Sequence, residues 1–144
     1  MGKTVAFFVI WLIMTSSFAE STQLEREPVY EVHPIGWVRK TNDRIFIEVN
    51  KRYQPALLGL EELDEIWVLY WFDRNDTPQR RAILQVHPRR NPANPLRGVF
   101  ATRAPVRPNL IALSRCRVVS VQDNLIEIDD IDAFADSPVL DIKP

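Results

Sequence analysis

At 144 residues the chain is the size of one domain. Its four glycines argue against a glycine-rich phosphate loop, its single cysteine excludes an internal disulfide, and its eleven prolines argue against long helices. The formal net charge of −1 hides a strong asymmetry, because 77–122 holds nine arginines and no acid, whereas 123–144 holds seven acids and one lysine.

In chain order, the first segment is MGKTVAFFVIWLIMTSSFAES, with a basic Lys3, an unbroken apolar run from Val5 to Met14 and a small-residue site at Ala19. That is the layout of a secretory signal peptide over residues 1–19, which predicts export to a periplasm or the extracellular space. Ten apolar residues are short for a bilayer span, which takes about 20, so no stable membrane span is expected after cleavage. The alternatives are a membrane anchor, or a cytoplasmic chain with a misassigned start. The domain proper is expected over residues 29–144.

Within it, Ile45, Ile47 and Val49 alternate as the buried face of a strand. Pro55 to Glu65 is the one helical candidate, and the four acids in its second half oppose the helix dipole and keep it short. Ile66 to Phe72, IWVLYWF, is apolar on both faces and rich in β-branched and aromatic residues, which predicts a central strand. Ala82 to His87 is a further strand candidate. Leu110 to Val121 alternates with Cys116 and Val118 on one face and Arg115 and Arg117 on the other. Asp123-Asn124 predicts a hairpin turn into Leu125–Ile128, and VLDIKP ends the chain as an extended segment. Proline-rich breaks at 75–79, 87–95 and 104–109 separate these units. The fold class that follows is all-β, a small antiparallel barrel with a short helix or helical turn.

No metal site is expected: His33 and His87 stand 54 residues apart, and no CxxC or HExxH spacing occurs. Covalent hydrolysis lacks a GxSxG, and nucleotide binding lacks a GxGxxG or Walker sequence. The arginine-rich span has two readings, ion pairing with the acidic end or an anion-binding surface. Every base in it is Arg, which suits planar, bidentate recognition of carboxylate or phosphate. Arg103 and Arg107 each lie close to a proline (Ala104-Pro105, Arg107-Pro108), in backbone that proline stiffens.

The ordered blocks His33-Pro34-Ile35-Gly36, GLEELDEIWVLYWF (59–72), GVFATRAPVRPN (98–109) and SPVLDIKP (137–144) resemble the TsaA-like proteins, which include the TrmO-type tRNA methyltransferases. The resemblance covers essentially the whole chain after the signal segment. It implies a small β-barrel, a homodimer, S-adenosylmethionine as cofactor, and N6-methylation of threonylcarbamoyladenosine beside the anticodon of tRNA. Matched position by position, it implies cofactor contacts from Arg103, from Asp73 and Arg74 after the central strand, and from Leu113 and Ser114. Asp132, Asp136 and Ser137 correspond to a family segment that borders the pocket. Arg107 and Asn109 belong to the RPN motif, and Arg80, Arg81, Arg89 and Arg90 are candidates for the tRNA backbone. The resemblance supplies no catalytic residue. The chain departs from it where Asp73 replaces a histidine, where Ala135-Asp136 replaces Asp-Gly, and where a Pro-x-Gln loop after Gly36 is missing. The alternative function is an exported, non-catalytic barrel that keeps the scaffold as a binding module.

Overall fold

A computed structural model describes residues 27–144, so the predicted signal segment lies outside the described residues. The strands are β1 (Gly36–Thr41), β2 (Arg44–Val49), β3 (Glu65–Trp71), β4 (Gln85–Val86), β5 (Arg97–Gly98), β6 (Ile111–Gln122), β7 (Leu125–Ile128) and β8 (Pro138–Lys143). Six of them close an antiparallel barrel in the order β1-β2-β7-β6-β3-β8, and β4 and β5 form a separate two-stranded ribbon. The all-β barrel expected from the sequence is thus the fold. Among the described residues no helix is long and apolar enough to cross a membrane.

The period-2 pattern drives this closure. Ile47 pairs with Val38 on one side and Ile126 on the other, and all three are fully buried. Across the barrel, Ile66 and Val68 of β3 point inward with Cys116 of β6 and Val139 of β8. Burying each such aliphatic side chain contributes about 1.5–3 kcal/mol. The outer face of β3, Trp67, Leu69 and Trp71, is only half-buried, so IWVLYWF is a barrel strand with one fully buried face. Cys116 is buried, and burial, followed by the charges of Asp129 and Asp130, pushes its thiol up to about 12.

One glycine is required where β1 meets β2. A Cβ on Gly36 would stand 2.3 Å from the Glu48 carbonyl oxygen and 2.9 Å from the Val49 Cα, so no side chain fits between these strands.

Three local expectations change. The single helix expected over 55–65 is two 3₁₀ turns, Lys51–Leu57 and Leu60–Glu62, split at Gly59 with φ 85°. They place Leu57 and Leu60 in the core. Of the strand expected over 82–87, only Gln85–Val86 pairs. Among the described residues the one α-helix is α1 (Pro78–Arg81), inside a segment that reads as a proline-rich break. Thr77 caps it by accepting from the Arg80 backbone N–H (3.3 Å), and Pro78 opens it.

Residues 72–110 form an arm between β3 and β6, made of α1, the β4–β5 ribbon and short turns. Val99 and Leu110 are buried in it, outside the main core cluster. Its 87–95 loop is knitted by polar bonds: the His87 Nδ1–H donates to the Asn94 carbonyl (2.7 Å), and Asn94 Nδ2 donates to the Pro88 carbonyl (2.8 Å). At its tip Arg89 (φ 56°) and Arg90 (φ 54°) both sit in left-handed backbone, which costs an L-residue about 1–2 kcal/mol each.

Candidate functional site

Two adjoining cavities, of about 260 and 210 Å³, open where the end of β3, the arm, the start of β6 and the loop before β8 meet. They share Tyr70, Phe72, Arg103 and Asp132. Each alone falls below the roughly 300 Å³ at which ligand pockets begin, and the joined cleft reaches that range. Ser114, Leu113, Thr102 and Arg107 line the first lobe; Asp73, Arg74, Arg90, Phe134 and Ser137 line the second.

A bulge positions the wall between the lobes. The β3–β8 register shifts between Leu69 and Tyr70, so Leu69 faces Asp141 while Tyr70 faces Val139. Tyr70 is rooted in the core, and its hydroxyl donates to the Asp132 carbonyl oxygen (2.5 Å), which pins the loop before β8. The Ser114 hydroxyl lies 3.4 Å from the same phenol as a donor. Burial pushes the Tyr70 phenol up, so it stays a neutral donor at physiological pH.

The arginines at the cleft divide by what holds them. Arg107 donates to the carbonyls of Thr102 (3.3 Å) and Ala104 (3.4 Å), bracing the turn that carries Arg103. Arg103 itself makes one bond, from Nη1 to the Leu113 carbonyl (3.2 Å), and forms no ion pair among the described residues. It lines both lobes. Arg74 stacks over the Phe134 ring, 3.9 Å from its centroid. Ser137 is buried, and its hydroxyl reaches Asp73 Oδ1 at 3.4 Å.

The structure therefore brings Asp73, Arg74, Arg103, Leu113, Ser114, Asp132 and Ser137 to one cleft. Asp136 does not join them; its carboxylate pairs with Arg39 of β1. Asn109 is exposed and lines neither lobe. Among the nucleic-acid candidates, Arg81 is a staple: it pairs with Asp76 (2.8 Å), donates to the Pro108 carbonyl (2.9 Å) and lies over Trp71. Arg80 bonds Asn75 (2.7 Å), whereas Arg89 and Arg90 form no ion pair among the described residues.

Of the nine arginines in the span, three are ion-paired among the described residues, Arg81 with Asp76, Arg115 with Glu65 and Arg117 with Asp129. At the acidic end, Asp136 and Glu127 pair with Arg39 and Arg44 of the first two strands, Asp129 with Arg117 of the span, and Asp141 with Lys143. Sequence reasoning missed Tyr70, Phe134 and Arg90 as cleft residues. Phe134 had a signal, as the one aromatic in an otherwise acidic and small-residue loop.

The lining is mixed in charge: Arg103 suits a carboxylate, Asp73 and Asp132 suit a cationic group, and Phe72 offers a ring face to a flat heterocycle.

Comparison with known proteins places this cleft in context. The family model for the tRNA-methyltransferase O N-terminal domain matches residues 13–144. A probable S-adenosyl-L-methionine-binding protein of Pyrococcus horikoshii is 45% identical over 114 residues, covering 79% of this chain and 81% of that one. The tRNA (adenine(37)-N6)-methyltransferase of Mus musculus is 39% identical over 91 residues, covering 63% of this chain and 20% of the enzyme. The crystal structure of TrmO from P. aeruginosa superposes with a TM-score of 0.63 at 28% identity, covering 83% of this chain and 56% of that one. The chain thus spans little more than half of that structure and a fifth of the mouse enzyme.

Proposed function

The chain belongs to the tRNA-methyltransferase O N-terminal domain family, and from that premise we propose that it binds S-adenosylmethionine in the joined cleft and methylates N6 of threonylcarbamoyladenosine beside the anticodon of tRNA. The observation that carries this reading is Arg103, which lines both lobes on braced backbone without a carboxylate partner among the described residues.

When bound, the cofactor supplies a methyl group on sulfonium, which is electrophilic and leaves a neutral thioether behind. The chain's own residues then have three tasks. Arg103 holds the amino-acid carboxylate. Phe72 and the pinned loop at Asp132 fix the nucleoside, so that the acceptor nitrogen, methyl and sulfur align. The N6 proton must also go somewhere, and Asp73 and Asp132 are the carboxylates lining the cleft. Tyr70, neutral, holds the wall rather than taking the proton.

Calorimetric titration of the full chain with S-adenosylmethionine, with and without Arg103→Ala, tests the reading. We expect binding by the wild type and a loss of about 10- to 100-fold in the variant at unchanged melting temperature, as for a charge-assisted bond. Equal affinity in both would show that the pocket lies elsewhere. A homodimer belongs to the same proposal. The outer face of the β3–β6 pair, where Ile111 and Leu113 at the edge of the first lobe are 42% and 43% exposed, supports a dimer that borders the cleft, and sedimentation tests it. Export through residues 1–19 is likewise proposed on the sequence, and sequencing the N-terminus of the chain from its host checks it.

A further inference from the structure

The second lobe carries a guanidinium that the cofactor does not account for. Arg90 lines it together with Arg74 and Arg103. Arg74 is occupied over Phe134, and Arg103 is assigned to the cofactor's single carboxylate. Arg90 has no ion-pair partner among the described residues, and it is presented by unusual means. Its backbone is left-handed, as is that of Arg89, a conformation in which glycine or asparagine would rest more easily. The loop that holds it there is fixed by the His87–Asn94 and Asn94–Pro88 bonds and by the Arg90 N–H donating to the His87 carbonyl (3.0 Å). A stiff loop that keeps an arginine against its backbone preference, at the lip of a cleft, is built for a ligand rather than for the fold.

We propose that Arg90 is a specificity residue that grips an oxyanion of the acceptor nucleotide at the lip of the second lobe, while Arg103 serves the cofactor within the cleft. The inference rests on the methyl-transfer reading and deepens it: the acceptor is an adenosine that carries negative charge close to its reacting end. That charge is either a carboxylate on the base substituent or a backbone phosphate, since a guanidinium recognises both in the same bidentate way.

The test uses the full chain and the variants Arg90→Gly and Arg90→Lys. The probes are a carboxylate-bearing N6-substituted adenosine, adenosine 5′-monophosphate, unmodified adenosine and S-adenosylmethionine, each titrated calorimetrically. The wild type should bind at least one charged probe about tenfold or more tighter than adenosine, and Arg90→Gly should erase that preference while S-adenosylmethionine affinity changes less than about threefold. Arg90→Lys should restore part of the preference. Because glycine is at home in left-handed backbone, Arg90→Gly should melt no lower than the wild type. Discrimination by the substituted adenosine alone assigns the carboxylate; discrimination by the monophosphate alone assigns the backbone. The proposal is overturned if the wild type shows no charge preference, if Arg90→Gly keeps it, or if that variant loses the cofactor instead. A wild type that discriminates the charged probes yet fails to bind S-adenosylmethionine would sink the methyl-transfer reading and leave the oxyanion site standing.

Discussion

The barrel and the arm are held by opposite means. In the barrel, Val38, Ile47 and Ile126 meet across three strands at 0% exposure, and the backbone is paired on both sides. In the arm, residues 72–110, only Val99 and Leu110 are comparably buried. Its order comes from Arg81 tying α1 to Pro108, from Arg107 bracing the Arg103 turn, and from the polar knit of 87–95. The difference teaches where function can be varied. Apolar burial is strong but indifferent to ligand chemistry, whereas directional bonds are weaker and can aim a guanidinium.

The contrast can be broken at its strong side first. Ile47→Ala removes buried volume at the crossing of three strands and should cost about 2–5 kcal/mol in urea denaturation, with the midpoint moving and every probe following together. Gly36→Ala forces a Cβ against the Glu48 carbonyl and should cost about 1–3 kcal/mol, read the same way. Arg81→Ala acts on the arm alone. It should cost about 1 kcal/mol of global stability, yet it should raise hydrogen exchange across 75–82 and weaken cofactor binding while barrel amides stay protected. A uniform rise in exchange would show that arm and barrel unfold as one unit.

Acidification sharpens the same comparison more gently. The Arg81 guanidinium, followed by the Trp71 indole N–H, holds the Asp76 carboxyl below its ordinary 3.8. A carboxyl lowered on folding contributes fully above its unfolded value, and that contribution is lost as pH falls through the folded one. The barrel loses the lowered Glu127 and Asp129 carboxylates too but keeps its aliphatic core. Below about pH 4 the arm should therefore loosen before the barrel, seen as exchange at 75–82 with the barrel's circular dichroism unchanged. Simultaneous loss of both signals would contradict the division.

What could be read from the residues follows the same line. Strands β2 and β6 were legible from alternation, β3 from an apolar run of β-branched and aromatic residues, β7 from the Asp-Asn turn before it, and β8 only as an extended end. β1 was not singled out, because GWVRKT places two bases and a glycine among its six residues. α1 hid in a proline-rich break, although its Thr-Pro start is a capping signal. In the cleft, Arg103, Asp73, Ser114 and Ser137 came from motif positions. Arg90 stood in the sequence only as a tRNA-backbone candidate; its place on the cleft wall came with the fold, because left-handed backbone leaves no periodic trace. Asp136 shows the reverse failing, a motif position whose partner is Arg39 rather than the cleft.

Cys116 gives the barrel its own reporter. A thiol 1% exposed and pushed up to about 12 holds almost no thiolate at neutral pH, so an alkylating reagent has nothing to attack while the strands are closed. Labelling at this one sulfur therefore times the opening of β3 from β6, in purified protein or in cells, without adding a probe.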